Sequence, residues 1–308
     1  MATKFIVFGP TGKIGSAAAQ TAHKLGAEVF LAMRDTTKPI PGLDAAGNLE
    51  RVQADLTDPA SVRGAVEKTG AKHAFIYLAH GGEPGMRSTV EALKAGGVEF
   101  VVFISSFYTF GDDPHAAAES DDAITKYHGM VEVSLHEVFG PRNYIALRPG
   151  YFASNLERYA ALIKSGKATL DNPEWKWDYI VPDDIGAVAG NLGAKGPAAI
   201  KSEVDEGRSH IVLLGAQFIS LREAAQLAAQ TAGLPELAVE GFENDQEALK
   251  YLVETYHLPA PIALSLLTPQ DVYTEEGLRT GAENVQKFSG RPPTTLRDWL
   301  EVNKQIFE

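Results

Sequence analysis

Residues 5–15 read Phe-Ile-Val-Phe-Gly-Pro-Thr-Gly-Lys-Ile-Gly, an apolar strand running into three glycines three residues apart. A helix rich in small residues follows, with Ser16, Ala17, Ala18, Ala19 and Ala22. Strand, glycine turn and helix in that order make a dinucleotide-binding turn. Gly9 permits the tight turn. Gly12 lets backbone approach a pyrophosphate with no Cβ in the way, and Gly15 lets the helix lie close to the sheet. The helix N-terminus offers unpaired N–H groups and a partial positive charge to phosphates.

Working outward, apolar runs recur at 5–8, 29–33, 49–53, 74–79, 100–105 and 144–147, and again at 210–214. Helical patterns near 13–25, 59–68, 85–96 and 121–138 separate them. Continuous apolar strands alternating with helices predict an α/β, doubly wound parallel sheet covered on both faces. The rhythm changes near residue 151. A helix near 154–165 leads to the aromatic stretch Trp175–Tyr179, and helices are expected near 220–232 and 244–256. Residues 1–155 are therefore read as a nucleotide-binding domain, to which a segment near 180–215 returns. Residues 156–180 and 216–308 form a smaller, mostly helical C-terminal lobe that binds substrate. The cleft between them is the expected substrate site.

Composition narrows the function. The 308 residues contain no cysteine, which removes disulfides, thiolate chemistry and thiolate zinc sites. No apolar run approaches the roughly 18 residues that span a bilayer. The net charge of −12 argues against nucleic-acid and anionic-membrane partners. Met-Ala-Thr-Lys leads directly into the first strand, which leaves no room for a signal peptide. A cytoplasmic location and a small-molecule substrate are expected. The acidic residues Asp112, Asp113, Glu119, Asp121 and Asp122 match no Ca²⁺ loop, and no metal is expected.

The adenosine end is read from the next strand ends. The second strand ends at Met33-Arg34-Asp35. An acidic residue there would bind the 2′-hydroxyl of NAD, and an arginine the 2′-phosphate of NADP. Arg34 stands first beyond the strand, with Lys38 and Lys13 as further candidates for that phosphate, so NADP(H) is the expected cofactor. Asp35 becomes the ribose ligand if the strand runs one residue longer. Asp55 and Leu56, after the third strand, are candidates for the adenine. Asp58, followed by Pro59, is a candidate helix cap. After the fourth strand, Leu78-Ala79-His80-Gly81-Gly82 lets backbone pass close to the nicotinamide ribose, which makes Ala79 and His80 cofactor candidates.

With these residues in place, the chain resembles the NmrA-like atypical short-chain dehydrogenases/reductases. The resemblance rests on Gly9–Gly15, Arg34 and Ala54-Asp55-Leu56. It also rests on the stretches at 148–156 (Arg-Pro-Gly-Tyr-Phe-Ala-Ser-Asn-Leu), 181–186 (Val-Pro-Asp-Asp-Ile-Gly) and 293–300 (Pro-Thr-Thr-Leu-Arg-Asp-Trp-Leu). It spans the whole chain and implies a Rossmann-type domain, a small C-terminal lobe and a preference for NADP(H). It places Thr11, Gly12, Lys13 and Ile14 around the pyrophosphate and Arg34 on the 2′-phosphate. The turn Pro149-Gly150-Tyr151-Phe152 would flank the nicotinamide. Members range from reductases of phenolic, quinone and alkaloid-like substrates to regulators that bind the dinucleotide.

The proton donor is less legible. A tyrosine four residues before a lysine, the usual solution, is absent: Asp112 follows Tyr108 and Val131 follows Tyr127 at that spacing. The family often carries a lysine four residues before a glutamate; here His128 precedes Glu132, and Lys126 lies on another face. A histidine is suited to acid or base work near neutral pH, yet His128 shares a helical stripe with Ile124, Val131 and Leu135, which also fits a core histidine. Tyr151, His80 and Ser106 complete the catalytic candidates. The expected function is NADP(H)-dependent reduction of a carbonyl, imine or conjugated double bond in a small aromatic molecule. Two alternatives stand beside it. One is an NADP(H)-sensing regulator with a protein partner, the other a redox-neutral isomerase or cyclase.

Overall fold

The computed structural model describes residues 2–40, 42–44, 49–109, 111–268 and 273–308. The chain opens with β1 (Lys4–Phe8), α1 (Lys13–Lys24), β2 (Glu28–Met33), β3 (Glu50–Gln53), α2 (Pro59–Thr69), β4 (His73–Tyr77), α3 (Arg87–Gly96) and β5 (Phe100–Ile104). It continues with α4 (Pro114–Ala118), α5 (Ala123–Phe139), β6 (Tyr144–Pro149), α6 (Ala160–Lys164), β7 (Lys167–Leu170), β8 (Lys176–Trp177), α7 (Pro182–Lys195), α8 (Lys201–Asp205) and β9 (His210–Leu213). The last elements are β10 (Ile219–Ser220), α9 (Leu221–Thr231), β11 (Ala238–Gly241), α10 (Asp245–Glu254), α11 (Ala260–Leu267), α12 (Glu275–Ser289) and α13 (Leu296–Asn303).

Among the described residues, seven strands form one sheet in the order β3-β2-β1-β4-β5-β6-β9, and every pairing in it is parallel. The order reverses at β1, which places a crevice at the carboxyl ends of β1 and β4. Alternate strand residues feed opposite cores. Phe5 and Val7 pack with α1, α7 and α12, whereas Ile6 and Phe8 pack with α2, α3 and α5. The expected doubly wound sheet is thus observed, with β9 arriving from beyond residue 200 as its last strand.

The small residues of α1 have a packing reason. A Cβ on Gly186 of α7 would lie 2.4 Å from that of Ala17, and one on Gly190 would lie 2.4 Å from the Ala18 carbonyl oxygen. Only glycine lets these two helices meet so closely. Buried Asp184 at the start of α7 accepts from the Thr294 N–H (2.7 Å) and pairs with Arg291 (2.7 Å), pinning the C-terminal segment to α7.

A third apolar core gathers Leu156, Tyr159, Trp177, Tyr179, Leu221, Trp299 and Phe307. It is flanked by two small pairings, β8 with β10 and β7 with β11. Asp58 caps α2, accepting from the Ala60 and Ser61 N–H groups, and Thr295 caps α13. Among the described residues, no helix is long and apolar enough to cross a membrane, and no group of side chains suited to a metal ion occurs. Asp113 and Asp122 of the acidic stretch instead cap α4 and α5.

Candidate functional site

The site is built on the turn between β1 and α1. Gly9 has φ +69°, and a Cβ on Gly15 would lie 2.3 Å from the Gly9 carbonyl oxygen, so both positions require glycine. Helix α1 starts after Gly12 with no side chain capping its first N–H groups. Those donors face a groove of about 520 Å³ lined by Gly9, Thr11, Gly12, Lys13, Ile14 and Gly15, with Tyr77, Ile104 and Phe152 across from them. Uncapped N–H groups at a glycine-lined turn are the donor set that a pyrophosphate requires, and the residues present fit a dinucleotide.

At the adenosine end, β2 stops at Met33, so Arg34 is the first residue beyond it and is exposed. Asp35 is already engaged, accepting from the Thr37 hydroxyl (2.6 Å) and N–H (3.0 Å). Those bonds, the hydroxyl's first, hold its carboxyl below the usual range. Lys38 is exposed nearby. Asp55 accepts from the Thr57 N–H (2.9 Å) and hydroxyl (2.8 Å). The Thr57 N–H, then its hydroxyl and Arg34, depress the Asp55 carboxyl. Leu56 is buried, and its carbonyl accepts from the Thr89 hydroxyl (2.8 Å). Arg34, Lys38, Asp55 and Leu56 stand outside the lining of the groove. Lys13 lines it, while its ammonium pairs with Glu157 and lies 5.9 Å from the Trp299 ring centroid.

A second cavity of about 600 Å³ adjoins the groove, and Tyr77, Ile104 and Phe152 line both. His80, Ser106, His128, Gly150, Tyr151 and Phe152 all contribute to its wall, joined by Trp177, Phe107 and Tyr273. Ala79 is not in the lining, and its N–H points to the Met86 sulfur at 3.4 Å. The sequence expectation of a strand to Ala79 is two residues too long, because pairing with β5 stops at Tyr77. Tyr77 therefore stands at the end of the strand and not in its interior.

His128 sits one turn before Glu132 on α5. Its Nδ1 lies 2.8 Å from the Ile124 carbonyl oxygen, which can only accept, so Nδ1 carries the hydrogen and Nε2 is the nitrogen left for the cavity. Burial pushes its imidazole pKa down, so the ring is neutral at pH 7. Ser106 accepts from the Tyr108 N–H (3.2 Å). The Tyr151 hydroxyl accepts from Arg158 (2.8 Å), and its ring stacks on Trp177 at 4.7 Å between centroids. Burial raises the Tyr151 phenol pKa, with Arg158 opposing. Arg158, Glu157 and Tyr273 carry no sequence signal of their own, because they reach the site from the third core and the segment before α12.

Buried Asp178 organises the far wall. Its carboxylate accepts from the Tyr151 N–H (2.8 Å), the Gly215 N–H (2.9 Å) and the Tyr273 hydroxyl (2.8 Å). A Cβ on Gly150 would lie 2.2 Å from Asp178 Oδ1, which explains the glycine in Pro149-Gly150-Tyr151.

Comparison with known proteins agrees with this geometry. The profile of a family described as NAD(P)H-binding matches residues 9–173. A nitrogen metabolite regulation-like protein of Gibberella fujikuroi is 33% identical over 97% of this chain and 96% of its own length. A (4-alkanoyl-5-oxo-2,5-dihydrofuran-3-yl)methyl phosphate reductase of Streptomyces griseus is 27% identical, covering 98% of both chains. Among solved structures, an NADPH-dependent quinone oxidoreductase of Escherichia coli in complex with NADPH superposes with a TM-score of 0.70. It is 20% identical and is covered to 99%, against 97% of this chain.

Proposed function

The chain belongs to the NAD(P)H-binding family, within its NmrA-like atypical short-chain dehydrogenases/reductases, and from that premise we propose that it is an NADPH-dependent reductase of uncharged, planar, aromatic molecules. The observation that carries the reading is the cavity beside the groove. Its wall is built from Phe107, Tyr108, Tyr127, Tyr151, Trp177 and Tyr273, and among the described residues no lysine or arginine lines it. Such a wall takes up a flat apolar ring system and offers no cation to a phosphate or carboxylate. A substrate such as the phosphate ester in the Streptomyces relative's name fits it poorly.

NADPH, when bound, supplies the hydride. The chain's own residues place the acceptor and manage the proton. The aromatic wall holds the substrate plane. Reduction of a carbonyl leaves an oxygen that takes one proton. His128 is neutral, so at Nε2 it accepts a hydrogen bond and passes on a proton only after first taking one from solvent. Ser106 and His80 are the hydroxyl and the second imidazole at the same wall.

The 2′-phosphate of NADPH is assigned to Arg34, with Lys38 beside it. Calorimetric titration with NADPH, NADP⁺, NADH and NAD⁺ tests this. NADPH should bind more tightly than NADH, and Arg34→Ala should weaken NADPH about ten-fold while leaving NADH within two-fold. Equal weakening of both would remove Arg34 from the 2′-phosphate site. The reductase reading is tested by following NADPH loss with uncharged quinones and with phosphorylated enones. Turnover of the quinones is expected, and turnover of the phosphorylated enones alone would overturn the apolar assignment. With a working substrate, His128→Ala should lower kcat at least ten-fold with KM little changed. An unchanged kcat would make His128 a packing residue.

One observation favours a second reading. The Tyr151 hydroxyl is held by Arg158, and no tyrosine–lysine pair stands on α5. A dinucleotide-sensing regulator needs no such pair. It does need different affinities for NADPH and NADP⁺, because a ligand shifts an equilibrium only by its differential affinity. The same titration measures that difference.

A further inference from the structure

Tyr77 ends β4 at the seam where the two cavities meet, and its ring lines both. The ring rests on the glycine turn: a Cβ on Gly9 would lie 2.6 Å from Tyr77 Cε1 and 3.3 Å from Cζ. Large side chains in this fold are mostly buried, yet Tyr77 is 41% exposed. Burial raises its phenol pKa, with the Arg34 charge opposing. The ring spans the seam from the substrate cavity to Gly9 of the groove. Dinucleotides in doubly wound sheets lie in the crevice at these strand ends, over this turn.

We propose that Tyr77 is a dinucleotide-contacting residue whose ring forms the wall between the cofactor groove and the substrate cavity. The proposal rests on the cofactor reading given above. Three observations support it: the shared lining, the contact with Gly9, and an aromatic side chain left 41% exposed where groove and cavity meet. A half-exposed ring beside a groove supplies a flat apolar surface that a ribose or nicotinamide covers on binding. The opposite edge of the same ring then completes the aromatic wall seen by substrate. The phenol oxygen is not required for this role, and the ring is.

Two measurements on the full chain test it. In the first, exposed tyrosines are nitrated with tetranitromethane, with and without saturating NADPH, and the peptides are read by mass spectrometry. Tyr127 is 40% exposed and lines the substrate cavity but not the groove, so it serves as internal reference. NADPH should protect Tyr77 several-fold and leave Tyr127 reactive. In the second, NADPH is titrated calorimetrically into wild type, Tyr77→Phe and Tyr77→Ala, with ligand-free melting curves as a fold control. Tyr77→Phe should bind within two-fold of wild type, and Tyr77→Ala about ten-fold more weakly. Unprotected Tyr77 in a chain that binds NADPH overturns the proposal. So does a Tyr77→Ala variant that binds equally or more tightly, the latter making the ring a plug instead of a contact. A wild type that binds no dinucleotide overturns the cofactor reading itself, and the proposal with it.

Discussion

Glu132→Ala is expected to destabilise the chain by about 3–5 kcal/mol, the cost of leaving a buried charge without its partner. Glu132 and Arg148 are each 2% exposed and meet through two hydrogen bonds, from Arg148 Nη2 at 2.7 Å and Nε at 3.1 Å. The Ser105 hydroxyl also donates to the Glu132 carboxylate, and Arg148 Nη1 donates to the Gly111 carbonyl at 2.6 Å. Truncating the glutamate leaves a buried guanidinium that, among the described residues, keeps the Gly111 carbonyl as its one acceptor. Against a whole-domain stability of about 5–15 kcal/mol, this is a large fraction. Urea unfolding should show the loss as a lower midpoint at an unchanged slope. The double variant Glu132→Leu, Arg148→Met removes both charges together and should be more stable than Glu132→Ala alone. A single variant within 1 kcal/mol of wild type would show that the pair is not structurally required. The pair also joins α5 to β6 one helical turn from His128.

The sequence made the sheet legible because its signals are local. Apart from β3, which reads Glu-Arg-Val-Gln, each strand of the sheet is a short, mainly apolar run between turn residues, and each of α1, α2 and α5 begins with a readable turn or cap, such as Gly12, Asp58 or Asp122. The glycine turn was legible for the same reason, since its chemistry lies within a few consecutive residues. Arg34 followed once the end of β2 was placed. Helices α7, α11 and α12 were harder. Helix α7 carries Gly186, Gly190 and Gly193, a composition that opposes helix by propensity and makes sense only against α1 and Phe5. Pro259-Ala260-Pro261 reads as a bend, yet the second proline falls in the first turn of α11, where a missing N–H costs nothing. The substrate wall was least legible. Tyr273, Trp177 and Asp178 reach it through long-range contacts, and Tyr77 through a strand end misplaced by two residues. Neither Glu132 nor Arg148 announces its partner, because the partner of a buried charge is chosen by tertiary packing alone.

Asp178 carries the second large expectation, a pH dependence of stability. Burial pushes its carboxyl up from the ordinary 3.8 to about 6, while the Gly215 N–H, the Tyr151 N–H and the Tyr273 hydroxyl hold it down. A carboxyl raised in the native state binds its proton more tightly there than in the unfolded chain. Its favourable contribution is therefore complete below about pH 4 and is lost as pH rises through about 6. A shift of about two pH units corresponds to a loss on the order of 3 kcal/mol. Other groups also titrate over this range, so wild type should be compared with Asp178→Asn, in which this site cannot ionise. The stability of wild type minus that of Asp178→Asn should fall by that order between pH 4 and pH 7.5, as read from urea midpoints across the range. A flat difference would mean that the three donors offset burial and keep the carboxyl in its ordinary range, and one that rises with pH that they hold it lower still. The geometry limits how far the variant can imitate the acid. Oδ1 takes two donors and Oδ2 one, so an amide placed with its oxygen at Oδ1 keeps Tyr151 and Tyr273 but turns its nitrogen to the Gly215 N–H. That lost hydrogen bond lowers the variant by a roughly constant amount at every pH. The offset leaves the slope of the difference untouched, and the slope alone reports the ionisation of Asp178.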